Sequence, residues 1–254
     1  MLSKSDRPFR EQVRSGQTLV GSFLHLASPI TAEILGLAGL DWVVIDMEHG
    51  PGNERDTLTQ IQALAHTGTS PLVRIESTER PRYGRALDLG AAGVLVPRVN
   101  GVEDALQAAE NCRYGGARGV ARYNRAWSWG MATGELEDVD AQVVCAIQIE
   151  TEGALDAVEE IAAIDGGDVL FVGPADLAHS LGIKGGPDHP ELLSAAGRVA
   201  AAARGSGAAA GMMVGTPEQA KLYRDLGFTF LGCGSDAGFV VQGAQKTVTE
   251  LRAL

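Results

Sequence analysis

A histidine, an arginine and several carboxylates each stand where an apolar run ends in this 254-residue chain. Asp46-Met47-Glu48-His49 follows Trp42-Val43-Val44-Ile45, and Arg74 closes Pro71-Leu72-Val73. Glu150 ends Val143-Val144-Cys145-Ala146-Ile147-Gln148-Ile149, and Gly173-Pro174-Ala175-Asp176 follows Asp168-Val169-Leu170-Phe171-Val172. If these runs are parallel strands of a barrel, their C-terminal ends open on one face and the polar residues meet there. Glu150 and Asp176, with no Cys or His pair nearby, form an all-oxygen set suited to Mg2+ or Mn2+, with positions left for water and a chelating substrate. The plainer alternative is a pair of solvated acids at helix starts. His49, three residues after Asp46, supplies an imidazole whose tautomer a carboxylate can fix for acid–base work near neutral pH. His25, His66, His179 and His189 read as structural, although His25 also lies at a strand end.

Arg74 offers a planar positive fork for a carboxylate or a developing oxyanion, or else a buried ion pair with Glu76, Asp88 or Glu48. Asp88, in Ala86-Leu87-Asp88-Leu89-Gly90, is either a helix-end hydrogen-bond partner or a contributor to the site. Pro97-Arg98 is equally open.

The elements that must position these residues are legible as alternation. Strands are expected at 18–23, 42–45, 71–75, 93–96, 143–149, 169–172, 208–214 and 228–231. Helical apolar spacing falls between them at 32–40, 57–66, 81–89, 102–112, 153–163 and 217–226. Thr216-Pro217-Glu218 reads as a cap, a first-turn proline and a first-turn acid. Repeated strand–helix units imply right-handed crossovers and a parallel sheet, and eight of them favour an α/β (β/α)8 barrel over an open sheet. No linker divides the chain, so residues 1–254 read as one barrel domain. Two segments exceed ordinary loops: 113–139, with Arg118, Arg122, Tyr123, Trp127 and Trp129, and the glycine-rich 181–188 after Asp176. Either is a candidate lid or subunit contact.

Composition removes several function classes. A net charge of -11 argues against a nucleic-acid surface, which needs clustered Lys and Arg. No run of 18 apolar residues exists, and charges run through residues 1–20 where a signal peptide would be apolar. Three cysteines without metal-type spacing suggest free thiols in a reducing cytoplasm. Phosphate-loop, dinucleotide and nucleophile-elbow patterns are missing. None of Lys4, Lys184, Lys221 and Lys246 ends a strand, so Schiff-base chemistry has no lysine at the barrel mouth.

Five stretches in this order and spacing resemble the HpcH/HpaI class II pyruvate aldolases. They are Asp41-Trp42-Val43-Val44-Ile45-Asp46-Met47-Glu48-His49, Pro71-Leu72-Val73-Arg74, Leu87-Asp88-Leu89-Gly90-Ala91-Ala92-Gly93, Gln148-Ile149-Glu150-Thr151 and Gly173-Pro174-Ala175-Asp176-Leu177. The resemblance runs from about residue 21 to 240. It implies a TIM barrel of the phosphoenolpyruvate/pyruvate-domain type that makes or cleaves 4-hydroxy-2-oxo acids from pyruvate or hydroxypyruvate and an aldehyde. It implies Glu150 and Asp176 as ligands of Mg2+, Mn2+ or Co2+, Arg74 on the keto oxygen, and His49 with Asp46 as an acid–base dyad acting on the aldehyde-derived hydroxyl. Asp88 would be an accessory residue serving a neighbouring subunit, while Gln148, Gly173, Pro174 and Ala175 would line the substrate site. The family also implies a homohexamer, a trimer of dimers with exchanged C-terminal helices. Phe23 stands where tryptophan is expected and Met47 where glycine is common, and both bear on acceptor preference. A CoA-thioester lyase on the same metal site is the rival enzyme, weakened by the low lysine count. A barrel that only binds a metabolite would leave the clustered His, Arg and acids unexplained.

Overall fold

The inward-facing side chains of the strands account for both the barrel and the placement of its polar end. The computed structural model describes residues 7–185 and 188–254, so positions 186 and 187 of the glycine-rich loop, and Lys4, lie outside the described residues. The strands are β1 (Leu19–Leu24), β2 (Trp42–Asp46), β3 (Ser70–Arg74), β4 (Gly93–Val96), β5 (Val144–Ile149), β6 (Val169–Val172), β7 (Ala209–Met213) and β8 (Phe230–Ser235). They close into a barrel in chain order, every neighbouring pair parallel, with β8 returning to β1. The expected strands agree with these to within a residue or two except at β8. It runs on through Gly232-Cys233-Gly234-Ser235, a stretch with no apolar signal.

Because side chains alternate along a strand, one parity of each strand points into the barrel. Leu19, Phe23, Trp42, Val44, Leu72, Leu95, Val144, Ala146, Val169, Phe171, Ala209 and Phe230 form that inner cluster. Four aromatic rings fill its middle. Trp42 stacks on Phe230 at 4.1 Å between centroids and meets Phe171 edge-on at 6.5 Å, while Phe23 lies 6.2 Å from Phe171. Room for these rings comes from Gly21, where a Cβ would fall 2.0 Å from the Trp42 ring, and Gly211, where it would fall 2.6 Å from Phe171. The other parity packs outward against the helices. Val43, Ile45, Val73, Val94, Cys145, Ile147, Leu170 and Met212 join Ala105, Val158, Val199 and Tyr223 in a second apolar layer.

The helices run back antiparallel to the strands, so every strand-to-helix connection lies at the mouth and every helix-to-strand connection at the base. Residues 181–185 follow β6 by way of the short helix Pro174–Ser180 and therefore belong to the mouth. The segment 113–139 joins the helix Val102–Asn111 to the start of β5 and therefore lies at the base, where it cannot cover its own barrel's mouth. The helix Phe9–Arg14 closes the base from below: Val13 is buried and Phe9 lies 6.5 Å from Phe230. Among the described residues no helix is long and apolar enough to cross a membrane.

Candidate active site

Extending the inward parity one step beyond the aromatic layer gives the polar residues of the mouth. Trp42 and Val44 lead to Asp46, Leu72 to Arg74, and Val144 and Ala146 to Gln148 and then Glu150. Polar side chains at these positions sit on an apolar floor, with open space only above them.

Asp46 and Arg74 are register partners on β2 and β3. Arg74 Nε donates to Asp46 Oδ1 at 2.8 Å and Nη2 to Oδ2 at 2.6 Å, a two-pronged charge-assisted pair. The Arg74 guanidinium also lies 5.1 Å above the Phe23 ring and places Nη1 3.2 Å from Glu48 Oε2. Asp46 Oδ1 further accepts the main-chain N–H groups of Glu48 and His49 at 3.1 and 3.3 Å. Burial alone would raise the Asp46 pKa. The hydrogen bonds from His25 and Arg74, the Arg74 charge and the His49 N–H overcome that and hold the carboxyl well below the usual range. Burial likewise opposes the charge on Arg74, and the Asp46, Glu48 and Glu150 carboxylates more than restore it.

The remaining acids are poised differently. Glu150 is 5% exposed, accepting Arg98 N–H on Oε1 and Gln148 Nε2 on Oε2, each at 2.6 Å. Arg98 reaches it from a left-handed backbone, φ 54, a conformation that costs energy for a non-glycine residue. Burial pushes the Glu150 carboxyl up against the pull of that N–H, and the charges of Asp176 and Glu48 push it further. Glu48 is raised by burial too, against Arg74 and His49, with Asp46 and Asp176 adding to the rise. Asp176 stands exposed in the first turn of Pro174–Ser180. Glu48, Glu150 and Asp176 therefore repel one another across the mouth with one arginine among them.

That surplus, together with the donor chemistry, fits a hard divalent cation. Gln148 Oε1 is buried with no hydrogen-bond partner among the described residues, leaving an oxygen free to serve a guest. Gly173 caps Pro174–Ser180 with its backbone so near that a Cβ would fall 2.6 Å from Glu150 Oε2 and 3.3 Å from Gln148 Nε2. Among the described residues no three His, Cys, Asp or Glu side chains form a ready-made metal cage. Any ion here would be held by few protein ligands and completed from solution.

Three expectations change in the structure. The imidazole on Asp46 is that of His25, with Nε2 3.0 Å from Oδ2, while His49 offers Asp46 only its main-chain N–H. The His49 ring is 66% exposed and lies 3.8 Å from Glu48 Oε2. Asp88 does not reach the mouth of its own barrel, so any site it serves is a neighbouring subunit's, the form the resemblance implies. It ends the helix Arg80–Asp88 just before β4 begins, at the base, where it pairs with Arg118 at 2.8 Å. Phe23 is 5% exposed and belongs to the aromatic floor under Arg74 rather than to the open wall. Pro174 and Ala175 stand at the start of the short helix beside Glu150, as the strand-end reasoning expects. Glu48, one of the ion partners offered for Arg74 by the sequence, lies 3.2 Å from it, and Arg98, left open there, enters the site through its main-chain N–H.

Cavity volume points elsewhere and misleads. About 600 Å3 opens between Arg14, Glu159, Ile164 and Ser206 at the base, lined largely by alanine and glycine. It lacks the convergent polar groups that fix and orient a ligand.

Comparison with known proteins agrees with the chemistry of the mouth. The model of the family described as HpcH/HpaI aldolase/citrate lyase matches residues 19–243. A hydroxypyruvate/pyruvate aldolase from Paraburkholderia phytofirmans is 36% identical over 260 residues, covering 99% of this chain and all of that protein. A 5-keto-4-deoxy-D-glucarate aldolase from an Enterobacter species is 36% identical over 240 residues, 94% of each chain. The crystal structure of an HpcH/HpaI aldolase/citrate lyase family protein from Burkholderia cenocepacia superposes with a TM-score of 0.91 at 37% identity, over 96% of this chain and 98% of that one.

Proposed function

This chain belongs to the HpcH/HpaI aldolase/citrate lyase family and is a carbon–carbon lyase of the pyruvate-type aldolases, and from that premise we propose that it cleaves and forms 4-hydroxy-2-oxo acids with pyruvate or hydroxypyruvate as the donor. The observation that carries the reading is the acid surplus at the mouth, where burial and the charge of Asp176 raise both Glu150 and Glu48 beside a single guanidinium. Glu150 and Asp176 would hold Mg2+, Mn2+ or Co2+, with Glu48 adding to the negative field. Such a cation supplies Lewis-acid stabilisation of the enolate that proton loss or carbon–carbon cleavage leaves behind.

The chain's own groups do the rest. Arg74, fixed by Asp46 and by the Phe23 ring beneath it, keeps one nitrogen near the mouth for the keto oxygen of the donor. Gln148, held by Glu150, and the backbone at Gly173, Pro174 and Ala175 close in on the donor carboxylate. His49, exposed and beside Glu48, is placed to exchange a proton with the donor methyl group.

The test is hydrogen–deuterium exchange at the methyl group of pyruvate, followed by NMR with Mg2+ and again with chelator. Exchange that needs the ion is the expected result. No exchange with Mg2+, Mn2+ or Co2+, on pyruvate or on hydroxypyruvate, would overturn the donor assignment.

A homohexamer with exchanged C-terminal helices remains part of the proposal. It is supported by the helix Asp236–Arg252, whose residues from Phe239 onward are all exposed, Val240, Val241 and Leu251 among them. Ile30, Ile34 and Leu37 form a second uncovered stripe on Pro29–Leu37, at helical spacing. Replacing Val240 and Val248 together by Glu should convert the assembly to smaller species in light scattering, and an unchanged mass would remove this support. With free thiols at Cys112, Cys145 and Cys233, a reducing cytoplasmic compartment is the setting we assign.

A further inference from the structure

His25 is held at both ends and left open in the middle. The inward parity of β1 runs Leu19, Gly21, Phe23 and then His25, and the pairing of Phe23 with Val44 and Leu24 with Ile45 carries His25 level with Asp46. Its imidazole Nε2 sits 3.0 Å from Asp46 Oδ2, and its ring lies 5.7 Å from the Phe23 ring. The main-chain N–H of His25 donates to Asp236 Oδ1 at 2.7 Å and that of Leu26 to Oδ2 at 3.3 Å. Asp236 is itself 2% exposed and also accepts the Thr31 hydroxyl at 2.7 Å. Against this support, 37% of the His25 side chain faces solvent at the mouth. An ionised carboxylate only accepts hydrogen bonds, so Nε2 carries a hydrogen and, in the neutral ring, Nδ1 has a free lone pair. No described residue hydrogen-bonds Nδ1.

We propose that His25 is a catalytic residue for the acceptor half of the aldol reaction, its Nδ1 exchanging a proton with the hydroxyl on the carbon where the C–C bond is made and broken. This role rests on the pyruvate-type aldolase reading. In cleavage, Nδ1 takes the proton of the C4 hydroxyl while the C3–C4 bond breaks. The C4–O bond becomes a carbonyl, and the C3–C4 electron pair becomes the enolate. The imidazole then gives its proton to solvent, and C3 of the enolate takes one on the donor side by way of His49, so that pyruvate and aldehyde leave with the protein unchanged. Synthesis runs the same steps backwards.

Asp46, kept ionised by Arg74, orients the ring and balances the imidazolium charge as it forms, the arrangement by which a buried carboxylate supports a histidine base in hydrolytic triads. His49 lacks that support: its ring is exposed, and among the described residues the acid paired with it is Glu48 at 3.8 Å. The charged groups facing His25 are Asp46 from β2, Arg74 behind it on β3, and Asp236 from the C-terminal helix.

Two variants and two readouts separate this role from a structural one. His25→Gln can still reach Asp46 with an N–H but has no basic nitrogen, and His25→Ala loses both. Methyl exchange on pyruvate reports the donor half alone, and cleavage of 4-hydroxy-2-oxopentanoate, the adduct of pyruvate and acetaldehyde, reports the whole. In both variants cleavage should fall at least ~100-fold relative to exchange, the usual size of a lost acid–base group. Wild-type cleavage in His25→Gln would overturn the proposal, as would exchange and cleavage falling together, which would mean that His25 only braces Asp46 and Arg74. Absence of exchange in the unaltered chain is a different result: it rejects the donor reading, and this role falls with it.

Discussion

Each end of the barrel buries an aspartate gripped by arginine, yet the two surroundings are opposite in charge. At the base Asp168 accepts Arg10 Nε at 2.8 Å, Arg14 Nη1 at 3.2 Å, Arg113 Nη2 at 3.3 Å and the Cys145 N–H at 3.0 Å. Positive charge is in excess there, and the helix Phe9–Arg14 supplies two of the guanidinium groups. At the mouth Asp46 has one arginine, Glu48 and Glu150 compete for that same cation, and Asp176 adds its charge beside them. An arginine–aspartate pair therefore says nothing about function by itself. What separates a fastener from a site is the charge left over around it: the base ties the chain down, and the mouth keeps acids that only a cation can satisfy.

The comparison breaks most visibly at the base. Asp168→Ala would strand three guanidinium groups, and we expect a loss of about 3–5 kcal/mol in urea unfolding, with turnover per folded molecule unchanged. Lost turnover without lost stability would show that the base takes part in the chemistry. Arg74→Ala should do the reverse, lowering metal-dependent methyl exchange about 10²–10³-fold, or ~3–4 kcal/mol in the barrier, while the chain stays folded. Normal exchange in that variant would remove Arg74 from the reaction.

A smaller effect tests the acid surplus directly. Mg2+ at about 100 times its Kd should stabilise the chain by ~2.7 kcal/mol, seen as a rise in Tm that chelator reverses. Glu150→Gln should abolish the rise; a rise that survives would move the ion away from Glu150. The least effect is in pH. Asp46 is depressed in the folded state, so its contribution is complete above the unfolded value near about 3.9 and drains away as pH falls below it toward the folded value. Unfolding followed from about pH 5 down to about pH 2 should show a shallower acid limb for Asp46→Asn than for the unaltered chain. Equal acid limbs would mean that Asp46 is not held as its hydrogen bonds imply.

The barrel was legible because its two periods are plain in the sequence: apolar runs of strand length alternate with helical spacing, and all eight strands lie where alternation places them. The polar mouth was legible for a related reason, since in a parallel barrel the end of each run already says which face a residue occupies. Pairing across strands was not. Position alone made His49 the natural partner of Asp46, because they are three residues apart. The partner is His25, brought level by the β1–β2 register from another run altogether. Counting inward parity from Phe23 would have found it. Asp88 shows the opposite limit: its composition fits a site, but a helix C-terminus faces the base in this fold, so in its own barrel it pairs with Arg118 away from the mouth. The segment 113–139 is long enough for a lid and lies at the wrong end for its own barrel, a fact fixed by connectivity rather than by composition.

The grip of Asp236 on the backbone at His25 also sets a clock. The two residues are 211 positions apart, so His25 leaves the ribosome long before its clamp has been made. At about 5–20 residues per second the interval is roughly 10–40 s, during which β1 waits without β8 or the final helix to hold its end. A contact of such sequence separation is slow to form and is won only when the ring closes. A chain truncated before Asp236 would thus carry nearly all the residues of the mouth and still lack the tie that fixes its first histidine.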